Sequence, residues 1–256
     1  MIFIIPVKSA VISPSWDKFS KIFERTVRSV CQQTDQDFNV VIVCNEKPIT
    51  DFEHPNIHYV HVDFPPPTPE ATKDFKGLHS PKEADKSKKI IAGFEYAKQF
   101  ETTHMMVVDA DDCISNTIVS FVKKNPDVDG WYGKMGYVYR EGSKLIFKKM
   151  EDFSSLCGTS LIVKPQYLLP IISPDMYFRH PKRTLENGYK MKSLPFAVAV
   201  YTINGENYFM TEKAVQHFKG DTVKNGSANL LKRVMRYRIW FLTNGVKKKF
   251  GLYKIS

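Results

Sequence analysis

Three short runs of uninterrupted apolar residues, at 2–7, 40–43 and 105–108, constrain the fold of this chain more than any other feature. Each is too short for a helix of ordinary length, and none alternates with polar residues. Each therefore reads as a strand covered on both faces. Between the first two, Phe19, Ile22, Phe23, Val27, Val30 and Cys31 recur at helical spacing after a start at Ser15, Trp16 and Asp17. The second strand extends over 38–44, a third is expected over 57–62, and a helix over 87–100 turns Ile90, Ile91, Phe94 and Ala97 inward. The order β-α-β-β-α-β with buried strands predicts an α/β sandwich whose ligand lies at the carboxyl ends of the strands. Val7 and Lys8, Asn45 and Glu46, and Asp109 to Asp112 fall at three such ends and would line one crevice.

The third of these ends is Asp109-Ala110-Asp111-Asp112. On extended backbone Asp109 and Asp111 point the same way. Two hard oxygen donors on one face, with open coordination positions, suit Mg²⁺ or Mn²⁺ bridging to phosphate oxygens. An acidic strand-to-helix turn, with Asp112 or Ser115 capping a helix from near Asn116, accounts for the same residues without a metal.

With these pieces in order, the chain resembles the A-type (GT-A) nucleotide-sugar glycosyltransferases, specifically the large bacterial family 2. The residues in common are Ile4-Ile5-Pro6-Val7, then Val27-Arg28-Ser29-Val30-Cys31-Gln32-Gln33-Thr34 followed by Phe38-Asn39-Val40-Val41-Ile42-Val43, and Val108-Asp109-Ala110-Asp111-Asp112 at the family's DxD motif. About the first 120 residues take part. Where family members often carry acidic residues after the second strand, this chain has Cys44-Asn45-Glu46. The resemblance implies a GT-A-like αβα sandwich with a Rossmann-like nucleotide-binding half. It implies Asp111 as ligand of Mn²⁺ or Mg²⁺, with Asp109 on the ribose or in the metal shell. Pro6, Val7, Asn45 and Glu46 would flank base and ribose, with Ala110 beside them. Several A-type transferases complete the metal shell with a C-terminal His, and His217 is the residue expected here. Its alternative is a surface loop.

Composition bounds the reading. At 256 residues and 43% hydrophobic content the chain makes one large or two small domains with a substantial core. The organisation expected is a transferase domain over 1–225, divided into a nucleotide-sugar half (1–115) and an acceptor half (116–225), and an extension over 226–256. Cys31, Cys44, Cys113 and Cys157 show no CxxC spacing and read as reduced structural thiols rather than a zinc site. No apolar stretch is long enough to span a bilayer, and Met1-Ile2-Phe3 lacks the basic start of a signal peptide. A cytoplasmic location is expected, peripheral at the inner face of the membrane.

The net charge of +10 is concentrated. From Thr222 onward there is no acidic residue, while Lys224, Lys232, Arg233, Arg236, Arg238, Lys247, Lys248, Lys249 and Lys254 supply +9. A general nucleic-acid surface would spread its cations over the folded body, so no nucleic-acid partner is expected. Leu230, Val234, Tyr237 and Phe241 at steps of three or four predict an amphipathic basic helix over 228–242. Such a helix either docks onto anionic lipid or packs on the domain with its basic face in water.

Prolines exclude regular structure from Phe64 to Pro69, and the polar stretch that follows reads as a long functional loop. Asp85, Lys86 and Lys89 are expected at the mouth of the next helix, where a lysine neutralises pyrophosphate. Gly130 to Tyr139 is rich in aromatics and glycine, with Leu145-Ile146-Phe147 as its hairpin partner; the aromatics serve either sugar stacking or the core. Gly158 lets backbone approach the donor sugar, or marks a bulge. Among Asp175, Arg179, His180 and Glu186, a general base for the acceptor hydroxyl is sought in Asp175, Glu186 or His180. The turn from Asn204 to Tyr208 is a further segment able to face the cleft.

These readings converge on a metal-dependent transfer of sugar from a nucleotide-diphosphate donor to a hydroxyl of a glycan or lipid-linked acceptor, in cell-surface polysaccharide synthesis. A nucleotidyltransferase would carry a Gly-rich basic loop after the first strand, which Lys8 to Pro14 is not. A non-catalytic nucleotide-sugar-binding protein of the same fold is the other alternative.

Overall fold

The computed structural model describes residues 1–73, 81–172, 190–207 and 237–255. The N-terminal half follows the expected order. Strand β1 (Ile2–Pro6) is followed by helix α1 (Trp16–Cys31), β2 (Asn39–Cys44), β3 (Ile57–His61), the short α2 (Pro69–Lys73), α3 (Pro81–Ala97) and β4 (Met105–Val107). β1 pairs parallel with β2 (Ile5 opposite Ile42) and with β4 (Ile4 opposite Val107), and β2 pairs parallel with β3. Their carboxyl ends therefore share one edge.

The strands are buried on both faces, as uninterrupted apolar runs require. Alternate β1 side chains serve opposite layers. Phe3, Ile5 and Val7 pack with Phe19, Phe23 and Val27 of α1, whereas Ile2 and Ile4 pack with Ile90, Phe94 and Ala97 of α3. Ser15 caps α1, its hydroxyl accepting from the Lys18 amide at 3.4 Å. These layers form the αβα sandwich that the family resemblance implies.

After β4 come β5 (Cys113–Ile114), α4 (Ile118–Lys123), β6 (Gly130–Tyr132), β7 (Gly136–Arg140), β8 (Leu145–Lys149), β9 (Leu161–Val163), the short α5 (Pro165–Leu168), β10 (Met191–Ser193) and β11 (Ala199–Ile203). The chain closes with β12 (Tyr237–Phe241) and α6 (Asn244–Phe250). The main sheet has the order β10-β6-β9-β4-β1-β2-β3, with β9 antiparallel to both neighbours. A second sheet, β12-β8-β7-β11-β5, stands beside it and contains the expected β7–β8 hairpin.

Several expectations are corrected. α3 begins at Pro81 rather than residue 87. Pro at the helix start and Glu83 in its first turn suit an N-terminus, so residues 81–86, read as loop, are helix. Over 228–242 a basic helix was expected, but Tyr237–Phe241 is a strand, antiparallel to β8 with Trp240 opposite Ile146; residues 228–236 lie outside the described residues. Tyr-Arg-Ile-Trp-Phe is β-branched and aromatic, and pairing with β8 outweighs a helical spacing of four residues. From residue 237 onward the chain packs on the body, the second of the two alternatives. Phe250 and Leu252 are buried, the Ser29 hydroxyl donates to the Phe250 carbonyl at 2.7 Å, and Arg25 donates to the Tyr253 carbonyl at 2.8 Å. Trp131 and Tyr139, two of the aromatics offered for sugar stacking, are core residues, Trp131 lying against His104 and Phe121. The four cysteines are free and buried, as expected.

Candidate functional site

A cleft opens where the carboxyl ends of β1 and β4 meet the start of α3 and the end of β11. It encloses about 550 Å³ of space, part of it open to solvent, and its walls include Pro6, Val7, Lys8, Phe19, Asp85, Lys86, Lys89, Asp109, Ala110, Asp111, Tyr201, Glu206 and Asn207. Residues from five separate parts of the chain thus converge on it.

The acidic segment is not extended. Pairing with β1 continues to Val108, whose amide donates to Ile4 at 2.9 Å, and the chain then turns, with the Asp112 amide donating to the Asp109 carbonyl at 3.0 Å. Asp109 and Asp111 nevertheless both face the cleft, brought there by the turn rather than by strand alternation. Asp109 receives Lys86 Nζ as an ion-pair partner, and its amide donates to Thr159 Oγ1 at 2.9 Å. Asp111 Oδ2 accepts from Asn207 Nδ2 at 2.7 Å, and its carbonyl accepts from Thr202 Oγ1 at 2.6 Å.

Asp112 turns the other way. It is fully buried and accepts from Cys157 Sγ at 3.1 Å and from the Thr202 amide at 3.3 Å, so it braces the turn instead of capping a helix. Burial, with the charges of Asp111 and Asp109 behind it, pushes its carboxyl well above the usual range. Asp111 is raised to about 6, first by burial and then by the neighbouring Asp109 charge. This turn therefore concentrates negative charge that the surrounding protein only partly offsets.

Opposing it are three lysines. Lys89 pairs with Asp85 at 2.9 Å, one helical turn apart in α3 and both buried. Lys8 reaches across to Glu206, meeting Oε2 and the backbone carbonyl at 2.8 Å each, and lies 4.6 Å from the Phe19 ring centroid. Burial lowers the Lys8 pKa, and the hydrogen bond to Glu206 works against that shift. Four carboxylates (Asp85, Asp109, Asp111, Glu206) thus face three ammonium groups (Lys8, Lys86, Lys89) around the cleft. α3 presents Asp85, Lys86 and Lys89 from within its first three turns, not from a mouth before it.

Glu206 and Asn207 arrive on a turn after β11. Gly205 sits at φ +86°, which a side chain would strain, and Asn204 Oδ1 accepts from the Glu206 amide at 2.7 Å. The expectation that this turn faces the cleft is met by Glu206 and Asn207. Tyr201 had no assigned role in the sequence, Phe19 was read only as an apolar helix residue, and Lys8 was expected at the crevice only as a strand-end residue. Only Lys8, directly after the first strand, carried a positional signal.

Other expected residues take different places. Asn45 Nδ2 donates to the carbonyls of Val62 and Phe64, at 3.1 and 2.9 Å, and fixes the segment after β3. Glu46 accepts from Ser9 Oγ and the Ala10 amide at 2.9 and 3.2 Å, holding the short turn after β1. Both support the cleft's rim without lining it. Gly158 precedes Thr159, the partner of the Asp109 amide, and is not on the cleft wall. Asp175, Arg179, His180, Glu186 and His217 lie outside the described residues. Among the described residues no group of three His, Cys, Asp or Glu side chains is arranged to hold a metal ion, and no helix is long and apolar enough to cross a membrane.

No protein-family model and no curated protein sequence matches the chain. Its fold is similar to solved structures at low identity. Residues 1–349 of Staphylococcus aureus TarS in complex with UDP-GlcNAc align at 16% identity, over 81% of this chain and 59% of that one, with a TM-score of 0.47. The same fragment with UDP aligns at 14% identity over 91% and 77%, TM-score 0.45. The 2-C-methyl-D-erythritol 4-phosphate cytidylyltransferase of Francisella tularensis aligns at 9% identity over 86% and 98%, TM-score 0.39. The chain spans about three-fifths of the first of these. At such identities and scores the likeness assigns no activity.

Proposed function

We propose that the cleft binds a nucleotide-diphosphate sugar and transfers the sugar to a hydroxyl of a glycan or lipid-linked acceptor. The observation that carries this reading is the opposition of the Asp109–Asp111 turn, at the end of β4, to Lys8, Lys86 and Lys89 within one cleft. The donor set suits a hard divalent cation: two adjacent carboxylates, with one formal negative charge left over in the cleft and more arriving with a diphosphate. Asp111, with Asp109 beside it, would hold Mn²⁺ or Mg²⁺, and that charge would stabilise the departing diphosphate. The protein supplies too few ligands alone, so phosphate oxygens would complete the shell, with His217 as a further proposed ligand.

Lys86 and Lys89 sit where they would exchange a carboxylate partner for a phosphate oxygen. Pro6 and Val7 would form the floor under base and ribose. In the reaction the bond from the anomeric carbon to the β-phosphate oxygen breaks and one to the acceptor oxygen forms. The hydroxyl proton passes to a base, for which Asp175, Glu186 and His180 remain the proposed residues.

The test is calorimetric titration of nucleoside diphosphates and their sugars with and without Mn²⁺, on wild type and Asp111→Asn. Metal-dependent binding is expected in the wild type and its loss in the variant, with the melting temperature kept within a few degrees. Equal affinity in both proteins would remove the metal role. Release of nucleoside diphosphate, rather than pyrophosphate, separates sugar transfer from nucleotidyl transfer; binding with no metal-dependent hydrolysis of the nucleotide-sugar would identify a non-catalytic binding protein.

A further inference from the structure

Large apolar side chains exposed among the described residues are mostly scattered: Val11, Ile49 and Tyr253 stand alone. Ile239, Trp240 and Phe241 do not. They are consecutive in β12 and are 57%, 52% and 76% exposed. Because side chains alternate along a strand, the run places apolar surface on both faces of the second sheet at its edge. β12 is that edge, paired to β8 on one side and to no described strand on the other. Soluble edges are ordinarily blunted by charge, proline or a bulge, and an exposed apolar run marks a contact surface.

Its surroundings are cationic. Residues 237–255 hold Arg238, Lys247, Lys248, Lys249 and Lys254 and no acidic residue, and Lys144 is exposed where β8 begins opposite Phe241. α6 starts three residues beyond β12, capped by Thr243, and exposes Lys247 and Lys248. Buried Phe250 and Leu252 fix this helix to the body. A second copy of the chain would bring the same cations against this edge and be repelled. A phospholipid surface offers what the patch lacks: anionic headgroups for the lysines and an apolar boundary for Trp and Phe.

We propose that the β12 edge and α6 form a docking surface for anionic lipid bilayers, with Ile239, Trp240 and Phe241 entering the headgroup boundary. The docking element is thus a strand edge, and it stands independently of the function proposed for the cleft.

The experiment is co-sedimentation of the full chain with vesicles of phosphatidylcholine alone or with about one-third phosphatidylglycerol. Binding to the anionic vesicles is expected, weakened by salt, with little to the neutral ones. Lys247→Glu/Lys248→Glu should weaken it at least tenfold, at about fivefold for each lysine removed. Ile239→Thr/Trp240→Thr/Phe241→Thr, checked for an unchanged circular dichroism spectrum, should abolish sedimentation. Trp240→Phe should still bind but lose the blue shift of tryptophan emission that vesicles induce in the wild type. No binding to anionic vesicles, binding unchanged in the charge-reversed protein, or a concentration-dependent dimer abolished by the triple substitution would each overturn the proposal.

Discussion

Replacing Lys89 by Met tests whether the cleft is a preformed charged constellation. Lys89 and Asp85 are one helical turn apart in α3, their side chains 1% and 4% exposed and 2.9 Å apart. At such burial each charge depends on the other. Removing one partner of a buried pair costs about 3–5 kcal/mol, because the remaining ion stays desolvated. At roughly 2–4 °C per kcal/mol for a chain of this size, Lys89→Met should melt about 6–20 °C below wild type. Asp85→Asn/Lys89→Met removes both charges of the pair and should recover most of the loss, giving a coupling of about 2 kcal/mol or more in a double-mutant cycle. Urea unfolding of the four proteins measures it. If Lys89→Met costs less than about 1 kcal/mol, or if the double variant is no better than the single, the pair is not mutually dependent. The cleft would then not be held by matched ions.

Two further results bear on the packing around the site, besides the loss of metal-dependent binding expected of Asp111→Asn. A Cβ at Gly93 of α3 would lie 2.7 Å from Ile4 Cγ2 and 2.9 Å from Val43 Cγ2, both fully buried. Gly93→Ala should lower stability by about 1–2 kcal/mol despite an intrinsic helix gain of about 1 kcal/mol, and a raised melting temperature would show that α3 has room to move. Burial pushes the Cys113 and Cys44 thiols up to about 11 and Cys31 to about 12, from an ordinary value of 9.0. Folded, each thiol holds its proton more tightly than unfolded. Their contribution to stability is therefore complete below pH 9 and is lost as pH rises through 11 to 12. Native protein at pH 8 should resist iodoacetamide that alkylates all four cysteines in urea; rapid native labelling would contradict their burial.

The sequence by itself determined the N-terminal half of the sandwich. Runs such as Ile2 to Ile5 and Val40 to Val43 admit no solvent-exposed face, so a covered parallel sheet follows from local pattern alone. That pattern also put Pro6, Val7, Asp109 and Asp111 at the sheet's carboxyl edge, where all four line the cleft. It misread polar segments. Asp85 and Lys86 looked like loop because polarity normally signals solvent, yet with Ser87 and Lys89 they form a buried polar face of α3, where Lys89 pairs with Asp85 one turn away and Lys86 with Asp109 elsewhere in the chain. Those partners were the tertiary structure's decision. Glu206 meets Lys8 from 198 residues away, Asn207 meets Asp111 from 96, and Thr159 meets the Asp109 amide from 50. Nothing local in the turn after β11 announces a carboxylate for Lys8. The identity of β12 was non-local too, since a five-residue aromatic stretch fits helix or strand until β8 supplies its hydrogen bonds. Local apolar periodicity fixes which surfaces must be covered, whereas a buried charge is tolerated only where folding brings its counter-charge, and that pairing is set by topology.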